Sequence, residues 1–382
     1  MLSEHAQRRP APPVDAASAE ALALELFVAG YEGTSLPEAY ASRLRRGLAG
    51  VILFARNLER DDRGVIALPP LVAHTAAVHA ASEATGSGLP AICAVDQEGG
   101  LVARLRAPFT HLPPMSQLAA ADDPELCRLA GWQTGRECLA AGFNVDFAPV
   151  LDINTNPTNP IIGQRAFGTT PEAVIRHAGA FLDGLQASGC LGCGKHFPGH
   201  GDTDVDSHLA LPVLPFDRAR LEAIELRPFA ALADQMRMVM TAHILFPALD
   251  ATFPATLSRP ILDELLREHC GYEGLIVSDD LEMKGVAEAF SFGKATRGGL
   301  EAGVELFLVC RREDALDEAV AEVTAMLLAG GDDAELALRA VGRVRGLRSG
   351  LRRPMPTTEE IETVTGDSDA RRLRDLLGVG TV

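Results

Sequence analysis

The segment KHFPGHGDTDVDSH, from Lys195 to His208, concentrates side chains that transfer protons. Asp206 and His208 are two residues apart, so a bent loop can place the carboxylate against the imidazole. A neighbouring carboxylate orients a histidine and stabilises its charged form. Because the ordinary imidazole pKa of about 6.5 lies close to neutral pH, this pair predicts a general acid/base.

A second acidic group closes the apolar run LIVSDD, which begins at Leu275. Of its two carboxylates, Asp279 and Asp280, one that faces a substrate can act as a nucleophile. A carboxylate nucleophile and a separate proton donor together fit two-step glycoside hydrolysis. Sugar hydroxyls also require carboxylates and cations around a pocket. Residues of these types are available at Asp96, Arg104, Arg165 and Lys195.

Eight short apolar runs recur along the chain, with segments of helical spacing between them. The runs begin at Leu24, Val51, Ala91, Phe147, Gly192, Val239, Leu275 and Glu305. They are continuous rather than alternating, which is typical of strands buried on both faces of a parallel sheet. Eight strand–helix repeats predict a single-domain α/β protein, a (β/α)₈ TIM barrel. A doubly wound sheet would instead need a G-x-G-x-x-G turn after the first strand, where the chain reads GYEGT.

The barrel predicts where the chemistry lies, because active sites of this fold occupy the carboxyl ends of the strands. Residues at such ends are Asp96, Asp152, Lys195, His196, His243, Asp279 and Asp280. We therefore expect a pocket there, covered by the loop that follows Lys195 and His196. Asp152 is interpreted as structural, and His243 either lines the pocket or packs beside it.

Metal binding is the alternative chemistry for the same region. The possible ligands are His196, His200, Asp202, Asp206 and His208. Barrel metallohydrolases often carry a His-x-His pair at the end of the first strand, where this chain reads Gly30-Tyr31-Glu32. The sequence therefore favours acid/base chemistry without a metal and without a cofactor.

The remaining cysteines and histidines receive structural interpretations. Most of the seven cysteines stand in apolar surroundings and are predicted to be small core residues. His74, His79 and His177 lie on predicted helices and are expected to be solvated or to cap a helix.

The composition of the chain indicates which binding partners and which cellular location to expect. The 382-residue chain has a formal net charge of −17, which opposes binding to nucleic acid and to anionic membranes. It has no apolar run of about 18 residues, the length of a transmembrane helix. Its start lacks the apolar stretch of about 7–15 residues of a secretory signal, so we expect a cytoplasmic protein. The expected divisions are a flexible leader at 1–18, the barrel at 19–350 and a polar tail with one short helix at 351–382.

Six longer motifs make the chain resemble glycoside hydrolase family 3, and within it the single-domain β-N-acetylglucosaminidases. The motifs are VDQEGGLVARL from Val95, FAPVLDIN from Phe147, NPIIGQRAFG from Asn159, KHFPGHGDTDVDSH from Lys195, MTAHILFPALD from Met240 and VSDDLEM from Val277. The resemblance extends from about Leu24 to Cys310. The segment at Lys195 is the most specific, because its K-H-F-P-G-H-G-x-T-x-x-D-S-H form marks the N-acetylglucosaminidase branch.

The resemblance implies a retaining, metal-free enzyme that releases terminal β-linked N-acetylglucosamine. Asp279 would be the nucleophile, and His208, held by Asp206, would be the general acid/base. The sugar would be held by Asp96, Arg104, Arg165, Lys195 and His196. The resemblance further implies a small carbohydrate substrate, such as a muropeptide in cell-wall recycling or a chito-oligosaccharide, and a monomeric protein.

Three positions depart from the family pattern. Leu101 replaces a usual arginine, Gln164 a usual acidic residue and Glu305 a usual aspartate. None of the three is the implied nucleophile or acid/base, so they bear on substrate preference more than on reaction type. The alternatives are a phosphorylase, because a histidine acid/base does not repel phosphate, a broader β-glycosidase, and a non-catalytic barrel that binds sugar.

Overall fold

The computed structural model describes residues 15–204 and 211–378. Its strands are β1 (Phe27–Ala29), β2 (Gly50–Ile52), β3 (Ile92–Val95), β4 (Gln97–Gly99), β5 (Val102–Ala103), β6 (Val145–Asp146), β7 (Leu191–Gly192), β8 (Gly194–Phe197), β9 (Met238–Thr241), β10 (Leu275–Asp280) and β11 (Leu306–Val309). Nine of them form one parallel sheet in the order β7-β6-β3-β2-β1-β11-β10-β9-β8. Its two ends, β7 and β8, are separated only by Cys193, so they act as one strand that closes an eight-stranded barrel. The predicted TIM barrel is confirmed.

Seven of the eight predicted runs overlap their strands, and the fourth does not. The prediction begins the fourth strand at Phe147, whereas β6 ends before that residue, at Asp146. Pro149 lies inside the predicted run and has no amide hydrogen to donate to a strand ladder. Its carbonyl oxygen accepts a hydrogen bond of 3.2 Å from the Lys195 amide instead. The segment after β6 therefore runs irregularly toward the mouth of the barrel.

Helices surround the barrel. They are Ala16–Leu24, Glu38–Arg46, Leu68–Glu83, Met115–Ala120, Pro124–Ala140, Pro171–Ala187, Arg218–Ala223, Arg227–Ala231, a π-helix at Pro260–His269, Lys284–Ala287, Phe292–Ala302, Glu313–Ala329, Gly331–Ser349, Thr358–Gly366 and Ser368–Leu377. Pro124–Ala140 and Pro171–Ala187 pack closely because glycines lie between them: a Cβ at Gly184 would stand 1.9 Å from the Arg128 carbonyl oxygen. This contact fixes the outer wall behind β6 and β7.

The C-terminal segment packs on the barrel. Where the sequence predicts one short helix, the chain forms two, Thr358–Gly366 and Ser368–Leu377. Asp367 caps the second helix and also pairs with Arg136 at 2.6 Å. A polar composition therefore did not prevent docking, because the charged side chains find partners on helix Pro124–Ala140. At the other end, helix Ala16–Leu24 begins inside the predicted leader, of which residues 1–14 lie outside the described ranges.

The burial of the cysteines agrees with the prediction, whereas the burial of three histidines does not. All seven cysteines are free and buried, as predicted. His74, His79 and His177 are also buried, so the prediction of solvated side chains is wrong. Each has a partner for a ring nitrogen; the His79 Nε2, for example, lies 2.8 Å from the Gly142 carbonyl oxygen. Across residues 15–204 and 211–378, no helix is both long enough and apolar enough to cross a membrane.

Candidate active site

A pocket of about 200 Å³ opens at the carboxyl ends of the barrel strands. Side chains from β8, β10 and the loops after β3, β5 and β6 line it. It contains six of the residues singled out from the sequence: Asp96, Arg104, Arg165, Lys195, His196 and Asp279. The topology therefore brings together residues that are far apart in the chain.

A larger cavity of about 540 Å³ lies at the amino end of the barrel. Charged side chains line it, but several are already paired, as Arg267 and Arg343 are with Glu305. Because active sites of this fold lie at the carboxyl ends of the strands, we assign the site to the smaller pocket.

Glu98 is the centre of the charged wall of the pocket. Its carboxylate accepts two hydrogen bonds of 2.8 Å from Arg165 and lies 2.6 Å from the Lys195 Nζ. Although burial alone favours the neutral acid, Arg165 and Lys195 hold the pKa of Glu98 well below its ordinary value. Burial likewise opposes the charge of Lys195, yet Glu98 and Asp96 raise the pKa of the Lys195 ammonium. Glu98, Arg165 and Lys195 are therefore ionised at neutral pH and fixed before substrate arrives.

The β4–β5 hairpin positions Asp96 and Arg104. Gly99 and Gly100 form its turn with φ values of 113° and 55°, a region that favours glycine. The Gln97 side chain holds the open end of the hairpin together: its amide nitrogen donates to the Leu105 carbonyl oxygen, and its amide oxygen accepts from the Leu105 N–H, both at 2.9 Å. Arg104 then reaches Asp96 at 3.3 Å, and Lys195 contacts the other oxygen of Asp96 at 3.1 Å.

Asp279 lies near the end of β10, on the side of the pocket formed by the last strands. Its Oδ1 accepts a hydrogen bond of 2.8 Å from the Asp280 amide. Burial raises the pKa of Asp279, but the His196 and His243 imidazoles and that amide outweigh burial, so the pKa lies below its ordinary value. Burial and the nearby Glu282 raise the pKa of Asp280 to about 7. Of the two aspartates, Asp279 therefore has the lower pKa and ionises more readily.

Asp152 connects the pocket to the loop above it. Its Oδ2 lies 2.7 Å from the His196 Nδ1, and its Oδ1 accepts the His200 amide at 2.7 Å. Burial works against ionisation, yet His196 and His200 lower the pKa of Asp152. Burial and His196 lower the pKa of His200 to about 4, so His200 is neutral at pH 7. Asp152 thus fixes the ring of His196 from behind.

The loop after β8 is anchored as far as the structure describes it. The Asn159 side chain donates to the His200 carbonyl oxygen at 2.8 Å, and the Thr155 hydroxyl donates to Asp202 at 2.7 Å. Asp206 and His208 lie outside the described residues, so their predicted roles stay predictions. Within the described ranges, no group of three or more histidine, cysteine, aspartate or glutamate side chains is arranged to hold a metal ion.

Glu98 lines the pocket although the sequence analysis does not single it out, whereas Asp152 is one of the strand-end residues that it does single out. Asp152 is interpreted as structural from the sequence, and its contact with the His196 Nδ1 puts it one step behind the pocket. Glu98 stands two residues after Asp96, and a carboxylate inside a buried glycine-rich hairpin was the available signal. Among the described residues, His243 is not one of those that line the pocket; it packs beside β10.

Comparison with known proteins shows which family the chain belongs to. Residues 38–341 match the family model described as the glycosyl hydrolase family 3 N-terminal domain. A β-hexosaminidase of Alkalilimnicola ehrlichii is 40% identical over 295 residues, covering 75% of this chain and 81% of that protein. A β-hexosaminidase of Bordetella parapertussis is also 40% identical over 295 residues, covering 75% and 80%.

Solved structures agree with the family match. NagZ from Neisseria gonorrhoeae, in complex with N-trifluoroacetyl-D-glucosamine, has a TM-score of 0.76 and 31% identity, covering 92% of this chain and 96% of that one. A family 3 β-N-acetylglucosaminidase from a Paenibacillus species has a TM-score of 0.80 and 33% identity, covering 91% and 67%. The chain therefore belongs to glycosyl hydrolase family 3 and is a glycoside hydrolase.

Proposed function

We propose that this glycoside hydrolase is a retaining β-N-acetylglucosaminidase that removes terminal β-linked N-acetylglucosamine. The observation that carries the proposal is the half-buried Asp279 carboxylate, whose pKa lies below its ordinary value, in a pocket walled by Asp96, Glu98, Arg165 and Lys195. The relatives named β-hexosaminidase support the substrate class. The Neisseria structure, whose ligand is an N-acylated glucosamine analogue, supports it further.

The charged wall suits a sugar with free hydroxyl groups. Asp96 accepts hydrogen bonds from hydroxyls, while Arg104, Arg165 and Lys195 donate them, and charge-assisted bonds of this kind are strong. His196 presents its second ring nitrogen, because Asp152 occupies the first. The pocket of about 200 Å³ is suited to one sugar residue, which favours action at a chain end.

The proposed reaction has two displacements at the anomeric carbon. In the first, a carboxylate oxygen of Asp279 bonds to C1 as the C1–O bond to the leaving group breaks. The His208 imidazolium, stabilised by Asp206, gives its proton to the departing oxygen. In the second, His208 takes a proton from water, the water oxygen bonds to C1 and Asp279 leaves. Two inversions give net retention.

The biological setting is part of the proposal. Muropeptides and chito-oligosaccharides both carry terminal N-acetylglucosamine and fit the same chemistry. The cytoplasmic location and the monomeric state expected from the sequence remain predictions.

The test is hydrolysis of 4-nitrophenyl β-N-acetylglucosaminide, with proton NMR of the first product. We expect the β-anomer to appear first, and Asp279→Asn to lower kcat by about 10⁴-fold with an unchanged melting temperature. 4-Nitrophenyl β-glucoside serves as the matched substrate and is expected to react far more slowly. An active Asp279→Asn variant, or an α-anomer as first product, would contradict the proposal. Accumulation of N-acetylglucosamine 1-phosphate when phosphate is added would identify a phosphorylase instead.

A further inference from the structure

A buried imidazole lies beside the strand that carries Asp279. His243 follows β9 by two residues, and only 1% of it is exposed. Its Nε2 stands 3.0 Å from the carbonyl oxygen of Asp280. Because a carbonyl oxygen only accepts hydrogen bonds, Nε2 carries the hydrogen in this contact. His243 therefore holds the peptide group that follows the Asp279–Asp280 pair.

The other side of the ring is also held. The His243 Nδ1 lies 2.8 Å from the Thr256 hydroxyl oxygen. That hydroxyl is 2.9 Å from the Thr241 hydroxyl and 3.1 Å from the Ala242 carbonyl oxygen. The ring is thus fixed between β9 and the turn at Ala255–Leu257, and it cannot rotate without breaking contacts at both nitrogens.

The end of β10 needs such support because its pairing is irregular there. The register between β10 and β11 shifts between Val277 and Asp280. The Asp280 side chain compensates in part by accepting the Cys310 amide at 3.2 Å. The Asp280 carbonyl oxygen, on the opposite side of this segment, receives the hydrogen of His243.

We propose that His243 is a positioning residue for Asp279: it holds the Asp280 carbonyl and so fixes the end of β10 and the Asp279 carboxylate within the pocket. The inference rests on the proposed function, because it assumes that Asp279 is the nucleophile. The hydrogen bond to the Asp280 carbonyl oxygen is the contact through which His243 acts on residues 279–280.

The test compares His243→Leu, which removes the donor, with His243→Gln, whose amide can donate from nearly the position of Nε2. We expect His243→Leu to lower kcat on 4-nitrophenyl β-N-acetylglucosaminide by about 10²-fold, the usual cost of a misplaced reacting group. KM should stay within about twofold, because the sugar-binding side chains are untouched. Trapping of the covalent intermediate by a fluorinated N-acetylglucosaminide should slow by the same factor. His243→Gln should recover most of the loss.

His177→Leu is the matched control, because His177 is a buried histidine on helix Pro171–Ala187, away from the pocket. Its kcat per folded molecule should equal that of the wild type. A folded His243→Leu protein with wild-type kcat, or one in which only KM rises, overturns the inference. If His243→Leu does not fold, Thr256→Val replaces it, and a wild-type kcat in that variant overturns the inference.

Asp279→Asn in the same assay separates the two proposals. An inactive Asp279→Asn variant with a fully active His243→Leu variant rejects only the role of His243. An active Asp279→Asn variant rejects the proposed function itself.

Discussion

Each end of the barrel buries a glutamate among cations. At the carboxyl end, Glu98 lies between Arg165 and Lys195, with contacts of 2.8 and 2.6 Å. At the amino end, Glu305 contacts Arg267 at 3.1 Å and also pairs with Arg343. The pKa of Glu98 lies well below its ordinary value, whereas burial raises the pKa of Glu305 and the arginines offset burial only in part.

The exposure of the cations explains the difference. The side chains of Lys195 and Glu98 are 3% and 1% exposed, so their attraction acts through protein and not through water. The Arg343 side chain is 42% exposed, and water screens its attraction to Glu305. The carboxyl end thus keeps fixed charges facing a pocket, whereas the amino-end glutamate ties helices Pro260–His269 and Gly331–Ser349 to the strands.

Glu98→Gln should break this comparison most strongly. The substitution leaves Lys195 and Arg165 buried without their carboxylate, and removing one partner of a buried pair costs about 3–5 kcal/mol of unfolding free energy. Because both cations also face the pocket, we expect kcat/KM on 4-nitrophenyl β-N-acetylglucosaminide to fall by about 10²-fold. Urea unfolding and steady-state kinetics measure the two effects.

Glu305→Gln is the matched control at the amino end. Glutamine still offers an oxygen to the Ile276 amide, which Glu305 accepts at 2.8 Å. We expect a loss of about 1 kcal/mol in unfolding free energy and no change in kcat or KM. Equal losses of activity in the two variants would contradict the division between a catalytic and a structural end.

The same comparison shows how much the sequence could predict. Buried parallel strands leave continuous apolar runs, so seven strands could be located, and strand ends brought Asp96, Lys195, His196 and Asp279 to one pocket. The fourth strand was misplaced because an apolar run containing Pro149 looks like a strand, although proline cannot donate to the ladder. The local pattern of apolar residues therefore locates the strands, and the ability of each backbone amide to donate a hydrogen bond decides where a strand ends.

The partners of charged residues were the part that sequence could not give. Glu98 stands in a glycine-rich turn where a carboxylate is ordinarily solvated, and only the folding of the hairpin onto β8 buries it against Lys195. Asp152 was interpreted as structural, and its bond to His196 depends on an irregular segment after β6. Such contacts join residues that are distant in the chain, which no local spacing records.

Asp146 tests the comparison further, because it lies at the carboxyl end of the barrel and none of the described cations pairs with it. Its Oδ1 accepts the Gln97 amide at 2.8 Å, and among the described residues its Oδ2 has no hydrogen-bond partner. Burial raises its pKa from 3.8 to about 8. Between these two pKa values the folded protein keeps a proton on Asp146 that the unfolded chain has released. The unfolding free energy therefore falls as pH rises from about 4 to about 8.

We expect Asp146→Asn, which keeps the acceptor for Gln97 and cannot ionise, to gain stability relative to the wild type. The gain should grow by about 1 kcal/mol per pH unit between about pH 5 and pH 7 and level off above pH 8. Urea unfolding of both proteins across this range measures it. A difference that does not vary with pH would mean that Asp146 is ionised in the folded protein, as Glu98 is.

The smallest expected effect is the opposite pH response of the two paired glutamates. The pKa of Glu98 in the folded protein is lower than the ordinary value of 4.5. The ionised Glu98 therefore contributes its full amount to the unfolding free energy above pH 4.5, and this contribution is lost only as pH falls through the pKa of the folded protein. The pKa of Glu305 in the folded protein is higher than the ordinary value of 4.5. Its contribution to the unfolding free energy is therefore complete below pH 4.5, and it is lost as pH rises through the pKa of the folded protein. The unfolding free energy of Glu98→Gln relative to the wild type should therefore stay constant between about pH 5 and pH 7. Over the same range, the unfolding free energy of Glu305→Gln relative to the wild type should rise with pH, by less than that of Asp146→Asn does. A difference that stays constant, as for Glu98→Gln, would mean that water does not weaken the amino-end pair.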